Sequence, residues 1–208
     1  LCGAARDPLN VAWAADNDGD PKGGKFPFTS NHGILGLRFL AAPPTKGMSF
    51  NWWTLSDPEW GPAKVASGDP VGIPNGDRRA YYLMANRTID YGQVFSGKDF
   101  SSEGWRKPPA GACGIADGLD TRQIIAVGPL EDDLLPGDSI RIAFALLAGN
   151  NFHTDPFQES NCKDPDAFLA KKSFKELSFA AQWASWIYDT PGYDSDPSDG
   201  EDYAGEYH

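Results

Sequence analysis

Gln123-Ile124-Ile125-Ala126-Val127-Gly128-Pro129-Leu130 and Ser139-Ile140-Arg141-Ile142-Ala143-Phe144-Ala145-Leu146-Leu147-Ala148 are the two stretches whose reading decides the fold. Both are dense in the branched and aromatic side chains that fit a pleated, half-buried surface. In the second, Ile140, Ile142, Phe144 and Leu146 alternate with Arg141, Ala143, Ala145 and Leu147, and that period of two puts the larger set on one face of a strand. Leu135-Pro136-Gly137-Asp138 between them carries turn residues. The two segments are therefore expected as antiparallel neighbours.

Further strand signals lie upstream. Leu9, Val11, Trp13 and Ala15 alternate with smaller residues, and Ile34 to Ala42 and Met48 to Leu55 flank Pro43-Pro44-Thr45-Lys46-Gly47, which reads as a β-hairpin with a longer loop. On a strand, Trp52 and Trp53 face opposite ways, so one belongs to the core and the other to a surface. Helical spacing is sparser. Asp77 reads as the N-cap of a short helix over 78–86 with Tyr81, Met84 and Ala85 on one side, and Asp164 caps a stretch opening on Pro165. Lys175 to Tyr188, with Phe179, Trp183 and Trp186 at i, i+4 and i+7, is an amphipathic helix whose tryptophans are expected in the core. The fold class expected is mostly β: one β-rich domain over 1–208, an antiparallel β-sandwich with long loops and two or three α-helices, one of them near the C-terminus.

Composition narrows the function classes. Gly and Pro number 23 and 17 in 208 residues, too many breakers for a helical bundle. With 18 basic and 29 acidic residues the chain carries a net charge of −11, which repels phosphate backbones and argues against nucleic acid as a partner. The longest apolar run, Ile142 to Ala148, is far too short to span a bilayer, so no membrane insertion is expected. The opening Leu1-Cys2-Gly3 has neither an initiator Met nor a leader pattern and reads as a piece of a larger protein. Cys2, Cys113 and Cys162 lie far apart without a C-x-x-C spacing. Either Cys113 and Cys162 form a disulfide between two loops, or the thiols are free and buried.

Two acidic segments are candidate calcium sites. From Asp189 to His208 there are five Asp and two Glu with no Lys or Arg, so this tail of 20 residues either stays solvated or folds around cations. Calcium takes six to eight hard oxygens, and Asp194, Asp196, Ser198, Asp199, Asp202 and Glu206 supply them at near-alternate positions around Gly200. The spacing departs from an EF-hand loop, because Gly falls at the seventh place and Glu206 one place late. The second segment, Asp16-Asn17-Asp18-Gly19-Asp20, places Asp16, Asp18 and Asp20 at alternating positions after a strand, and its alternative is an Asx-rich surface turn.

Catalytic patterns are sparse. His32, His153 and His208 form no H-x-H, H-E-x-x-H or G-x-S-x-G arrangement, and His153-Thr154-Asp155 is half of a triad at most. Asp57, Glu59, Glu103, Asp117 and Asp120 offer carboxylate pairs for glycoside hydrolysis. Trp53, Trp60 and Trp105 lie in or beside Pro- and Gly-rich loops, where indoles either stack on sugar rings or fill space under the loops. Polysaccharide and other copies of the chain are the partners these features suggest.

Trp183-Ala184-Ser185-Trp186-Ile187-Tyr188-Asp189-Thr190-Pro191-Gly192, with the Asp-rich ending through Tyr203-Ala204-Gly205-Glu206-Tyr207, resembles a module found late in large secreted proteins of environmental bacteria. Ala12-Trp13-Ala14-Ala15-Asp16-Asn17-Asp18-Gly19-Asp20-Pro21, Phe50-Asn51-Trp52-Trp53, Asp77 to Met84 and His153-Thr154-Asp155-Pro156 are similar to recurring phrases of the same module. Such proteins often carry dockerin-like or sorting segments. The resemblance implies an extracellular or cell-surface location and a non-catalytic, calcium-stabilised role in attachment or in assembly of a surface structure.

Overall fold

The computed structural model describes residues 11–16, 18–43, 45–54, 60–61, 76–90, 94, 121–157 and 163–189. In chain order these form β1 (Val11–Ala15), β2 (Ile34–Ala41), β3 (Met48–Thr54), α1 (Asp77–Ala85), β4 (Thr121–Val127), β5 (Ala143–Gly149), α2 (Pro165–Ala170) and α3 (Lys175–Asp189). The molecule is mostly β, with every strand pair antiparallel. These five strands and three helices overlap the segments expected for them, with β4 ending at Val127 rather than Leu130 and β5 beginning at Ala143 rather than Ser139.

The pairing differs from the expectation. β2 is the centre of a three-stranded sheet ordered β1-β2-β5, whereas β3 pairs with β4 in a separate two-stranded ribbon. Neither expected pair exists: β2 does not form a hairpin with β3, and β4 does not lie beside β5. Both edges of β2 are occupied, by Val11 to Ala15 on one side and Ala143 to Gly149 on the other, so β3 has no edge left to join. The loop after β2 is instead tied to the end of β4, where Lys46 N–H donates to Pro129 O (2.8 Å) and Gly128 N–H to Gly47 O (3.1 Å). Leu135 to Asp138 does form the turn, closed by Asp138 N–H on Leu135 O (3.0 Å) with Gly137 at φ 98°, but the turn leads β5 away to another sheet.

The ribbon is held by a buried polar network. Ser49, Asn51 and Thr54 are buried on β3. The Ser49 hydroxyl donates to Met84 O (3.1 Å) and accepts from Arg87 N–H (2.9 Å), and the Asn86 amide donates to Asn51 Oδ1 (2.9 Å), clamping the end of α1 to the strand. Trp52 is buried and Trp53 half-buried, as opposite faces require. On α1 the buried residue is Leu83, with Tyr81 and Met84 exposed, and Gly76 rather than Asp77 occupies the N-cap. Asp164 does cap α2, its carboxylate accepting from Ala167 N–H (3.0 Å).

The main core lies between the β1-β2-β5 sheet and α3, around Ile34, Leu147, Phe152, Leu177 and Ala181. Trp13 and Phe152 each pack edge-on against Phe174 beside it, with ring centroids 5.2 Å apart, and lie tilted to each other at 5.6 Å. The face of α3 that meets the sheet is not the expected one. Where α3 comes closest the sheet offers glycine: a Cβ on Gly149 would stand 2.7 Å from the Leu177 backbone nitrogen, and one on Gly36 2.8 Å from Leu177 Cδ1. The helix answers with Leu177 and Ala181, while Phe179, Trp183 and Trp186 are exposed. At that approach no indole fits between Leu177 and the glycines of the sheet. On β5 the face that carries Phe144 and Leu146 is the outward one.

Candidate metal-binding turn and its cleft

β1 delivers the chain into Asp16 at one end of the sheet, and the backbone there is shaped by its own side chains. Asp16 Oδ1 accepts from Asp18 N–H (3.2 Å) and Gly19 N–H (2.7 Å), and Asp18 Oδ1 accepts from Asp20 N–H (2.8 Å). These are Asx bonds, available to Asp because its carboxylate reaches the amide two residues on. Gly19 at φ 77° and Asp20 at φ 56° complete the bend in left-handed backbone, which Gly and Asp tolerate. The Ser30 hydroxyl donates to Asp20 O (2.8 Å) and closes the far side.

The consequence is a convergence of charge. One carboxylate oxygen from each of Asp16, Asp18 and Asp20 lies within 4.8 Å of the others, a spacing that two calcium–oxygen bonds of about 2.4 Å span. Three hard anionic oxygens fit calcium better than a softer metal that prefers nitrogen or sulfur. The remaining ligands of a six- to eight-coordinate ion would be backbone carbonyls and water.

His153 fastens the turn to the core. It is buried, and its Nε2 lies 2.9 Å from the backbone oxygen of Asp16; a carbonyl only accepts, so Nε2 carries the proton and donates. The ring lies on Gly19, where a Cβ would come within 2.9 Å of His153 Cδ2, and it meets Phe152 at 4.9 Å edge-on. Beside the turn, Asp16, Ser30, Asn31, His32 and Asn150 line an open cleft of about 420 Å³. His32 stacks on Phe26 at 5.5 Å, and its buried Nδ1 meets no hydrogen-bonding group among the described residues.

Two lysines border this region. Lys171 pairs with Asp155 (3.1 Å), and the Phe157 N–H together with Lys171 holds the Asp155 carboxyl below the usual range. Lys172 stands 4.0 Å over the Phe168 ring, and burial, reinforced by Lys171, lowers its pKa from 10.5 to about 8 against the opposing pull of Asp18 and Asp155. The folded chain therefore releases this proton before the unfolded chain does. Between pH about 8 and 10.5 the unfolded state holds more proton, so the stability owed to Lys172 rises with pH. The melting temperature of the wild type is expected to gain on that of Lys172→Met from pH 7.5 to pH 10; a constant difference would show that the lysine titrates alike in both states.

Of the sequence-read candidates, the structure brings Asp16, Asp18 and Asp20 together. His153 and Asp155 do not form a dyad, since the one is bonded to Asp16 and the other to Lys171. Trp60 is 1% exposed and lies edge-on to Trp52 at 6.1 Å, which makes it a core residue without a face to offer a sugar. Trp53 is half-buried opposite Arg122. Trp105, Cys113, Cys162 and the tail residues Asp194, Asp196, Ser198, Asp199, Asp202 and Glu206 lie outside the described residues. His153 as the anchor of the acidic turn escaped the sequence reading, because 137 residues separate it from Asp16. No family model, curated protein or solved structure matches this chain. No helix among the described residues is long and apolar enough to cross a membrane.

Proposed function

We propose that this chain is a non-catalytic extracellular or cell-surface module, stabilised by calcium at the Asp16–Asp20 turn, that serves attachment or assembly of a surface structure. The observation that carries the reading is the convergence of three carboxylates on a turn already bent by its own Asx bonds and pinned to the core through His153. Without a cation, that convergence sets like charges against each other; with one, the repulsion becomes coordination, and only the folded state holds the ligands in place. A metal bound there stabilises the fold by mass action. The finer architecture, a β-sandwich, belongs to the same proposal: it requires a second layer over the open face of the β1-β2-β5 sheet.

The test is thermal unfolding after chelation, with and without calcium. At calcium 100-fold above its dissociation constant the expected gain is about 2.7 kcal/mol, or roughly 5–10 °C for a chain of this size. Because the acidic tail is a second candidate, the same measurement is made on Asp16→Asn/Asp18→Asn/Asp20→Asn. Loss of the shift in the triple variant supports the turn as the site. An unchanged melting temperature in the wild type would remove calcium from the proposal.

A further inference from the structure

The β1-β2-β5 sheet is apolar on both faces, and only one of them is covered by α3. On the outer face the register sets Leu37 opposite Leu146 and Phe39 opposite Phe144, with Leu35 two residues along. Leu35 is 64% exposed, Phe144 57% and Leu146 78%, and the half-buried Leu37 and Phe39 lie between them. In a sheet with one covered face the other is ordinarily polar, whereas here both carry large apolar side chains. On the inner face Gly36, Ala145 and Gly149 lie beside Ile34 and Leu147 under α3; on the outer face Ala12 of β1 is buried, while Leu35, Phe144 and Leu146 stand in water.

We propose that this outer face docks on the same face of a second copy of the chain, closing two sheets into an intermolecular sandwich. The proposal names a surface for the assembly role given above and does not depend on calcium. Three features select a second copy as the occupant. The exposed side chains, continued by Ile140 and Ile142 ahead of β5, leave on the order of 500 Å² of apolar surface open, at the upper end of what monomers tolerate. Two such faces together bury on the order of 1,000 Å², the lower bound of a specific interface. The face is also self-complementary in kind: Leu35, Leu37, Phe39, Phe144, Leu146 and Ala148 include no ionisable group, so copies bearing −11 each meet where no like charges are opposed. Finally, it is without hydrogen-bonding side chains, which suits another sheet at about 10 Å spacing and gives no donors for a sugar.

Sedimentation velocity of the full chain across 1–100 µM, in EDTA and in calcium, tests this. A reversible dimer is expected that strengthens as salt is raised, because screening relieves the repulsion between acidic copies. Phe144→Thr/Leu146→Thr keeps strand propensity and removes apolar area on both sides of the interface, and should weaken dimerisation at least roughly 100-fold. Trp183→Gln, on the exposed side of α3, should leave it unchanged. A monomer at 100 µM in both conditions would overturn the proposal and mean that the face is covered by something other than a second copy. A dimer indifferent to the Thr substitutions would overturn it by placing the interface elsewhere. Either result leaves the calcium reading to its own thermal test, just as a dimer in EDTA stands if calcium has no effect.

Discussion

Gly149→Ala is expected to destabilise the fold by about 2–3 kcal/mol, although the same change judged from local propensity should stabilise it. Gly149 ends β5 in backbone open to any residue, and alanine in such a place ordinarily gains about 0.5–1 kcal/mol by restricting the unfolded chain. The obstacle is tertiary. The added Cβ would stand 2.7 Å from the Leu177 backbone nitrogen and 3.2 Å from the Glu176 carbonyl carbon, so helix α3 itself must retreat from the sheet. Overpacking against backbone costs this much because no rotamer change relieves it. The melting temperature should fall by roughly 5–10 °C. Gly36→Ala is the graded comparison: its Cβ meets the ends of the Leu177 and Val11 side chains, at 2.8 and 2.9 Å, and those can turn aside. A Gly149→Ala protein as stable as the wild type would show that α3 does not sit on the strand.

His153→Ala carries the second large effect and connects the fold to the proposed site. It removes a buried aromatic ring packed against Gly19 and Phe152 and leaves the Asp16 carbonyl without its donor. The cavity and the lost bond together are expected to cost about 3 kcal/mol. Asp16 is no longer pinned, so the three carboxylates have to be gathered at the moment of binding, and the calcium-dependent gain in melting temperature should shrink by at least half. His153→Gln restores a side-chain donor and is expected to recover part of that gain. If His153→Ala lowers the melting temperature while the calcium shift keeps its wild-type size, the Asx bonds alone organise the turn and the histidine belongs only to the core.

Glu176 illustrates a smaller coupling in the same region. Its carboxylate accepts from the Asn151 amide (2.9 Å) and from Asn150 N–H (2.8 Å), and these bonds lower its pKa, the side-chain donor contributing most. The sign is that of a native carboxylate held in its charged form: its contribution is complete above the unfolded pKa and disappears as acid protonates it. It fastens the first turn of α3 to the end of β5, beside the contact on which Gly149 depends.

Much of the molecule was legible in the chain itself. Alternation in Leu9 to Ala15 and Ser139 to Ala148 and apolar, β-branched runs over Ile34 to Ala42 and Gln123 to Leu130 marked strands, and Asp164-Pro165 marked a helix start, because strand pleat, helical turn and cap are local properties that a few neighbouring residues set. The acidic turn was legible for the same reason: Asp16, Asp18 and Asp20 bring their oxygens together through bonds to amides two and three residues away. What lay beyond the sequence was every choice between equivalent partners. Both pairs of neighbouring strands read as hairpins, yet β2 took β1 and β5 while β3 took β4, since an edge once occupied is closed to the next strand. Periodicity divided β5 into two faces without saying which was inner, and on α3 it pointed to the tryptophan face; the sheet's glycines and the close seat of Leu177 put Leu177 and Ala181 inside and Phe144, Leu146, Trp183 and Trp186 outside. His153 reached Asp16 only because the fold returned it there. Local backbone energetics are written along the chain, whereas face selection and long-range pairing depend on which surfaces compete for the same space, and that competition exists only in the folded molecule.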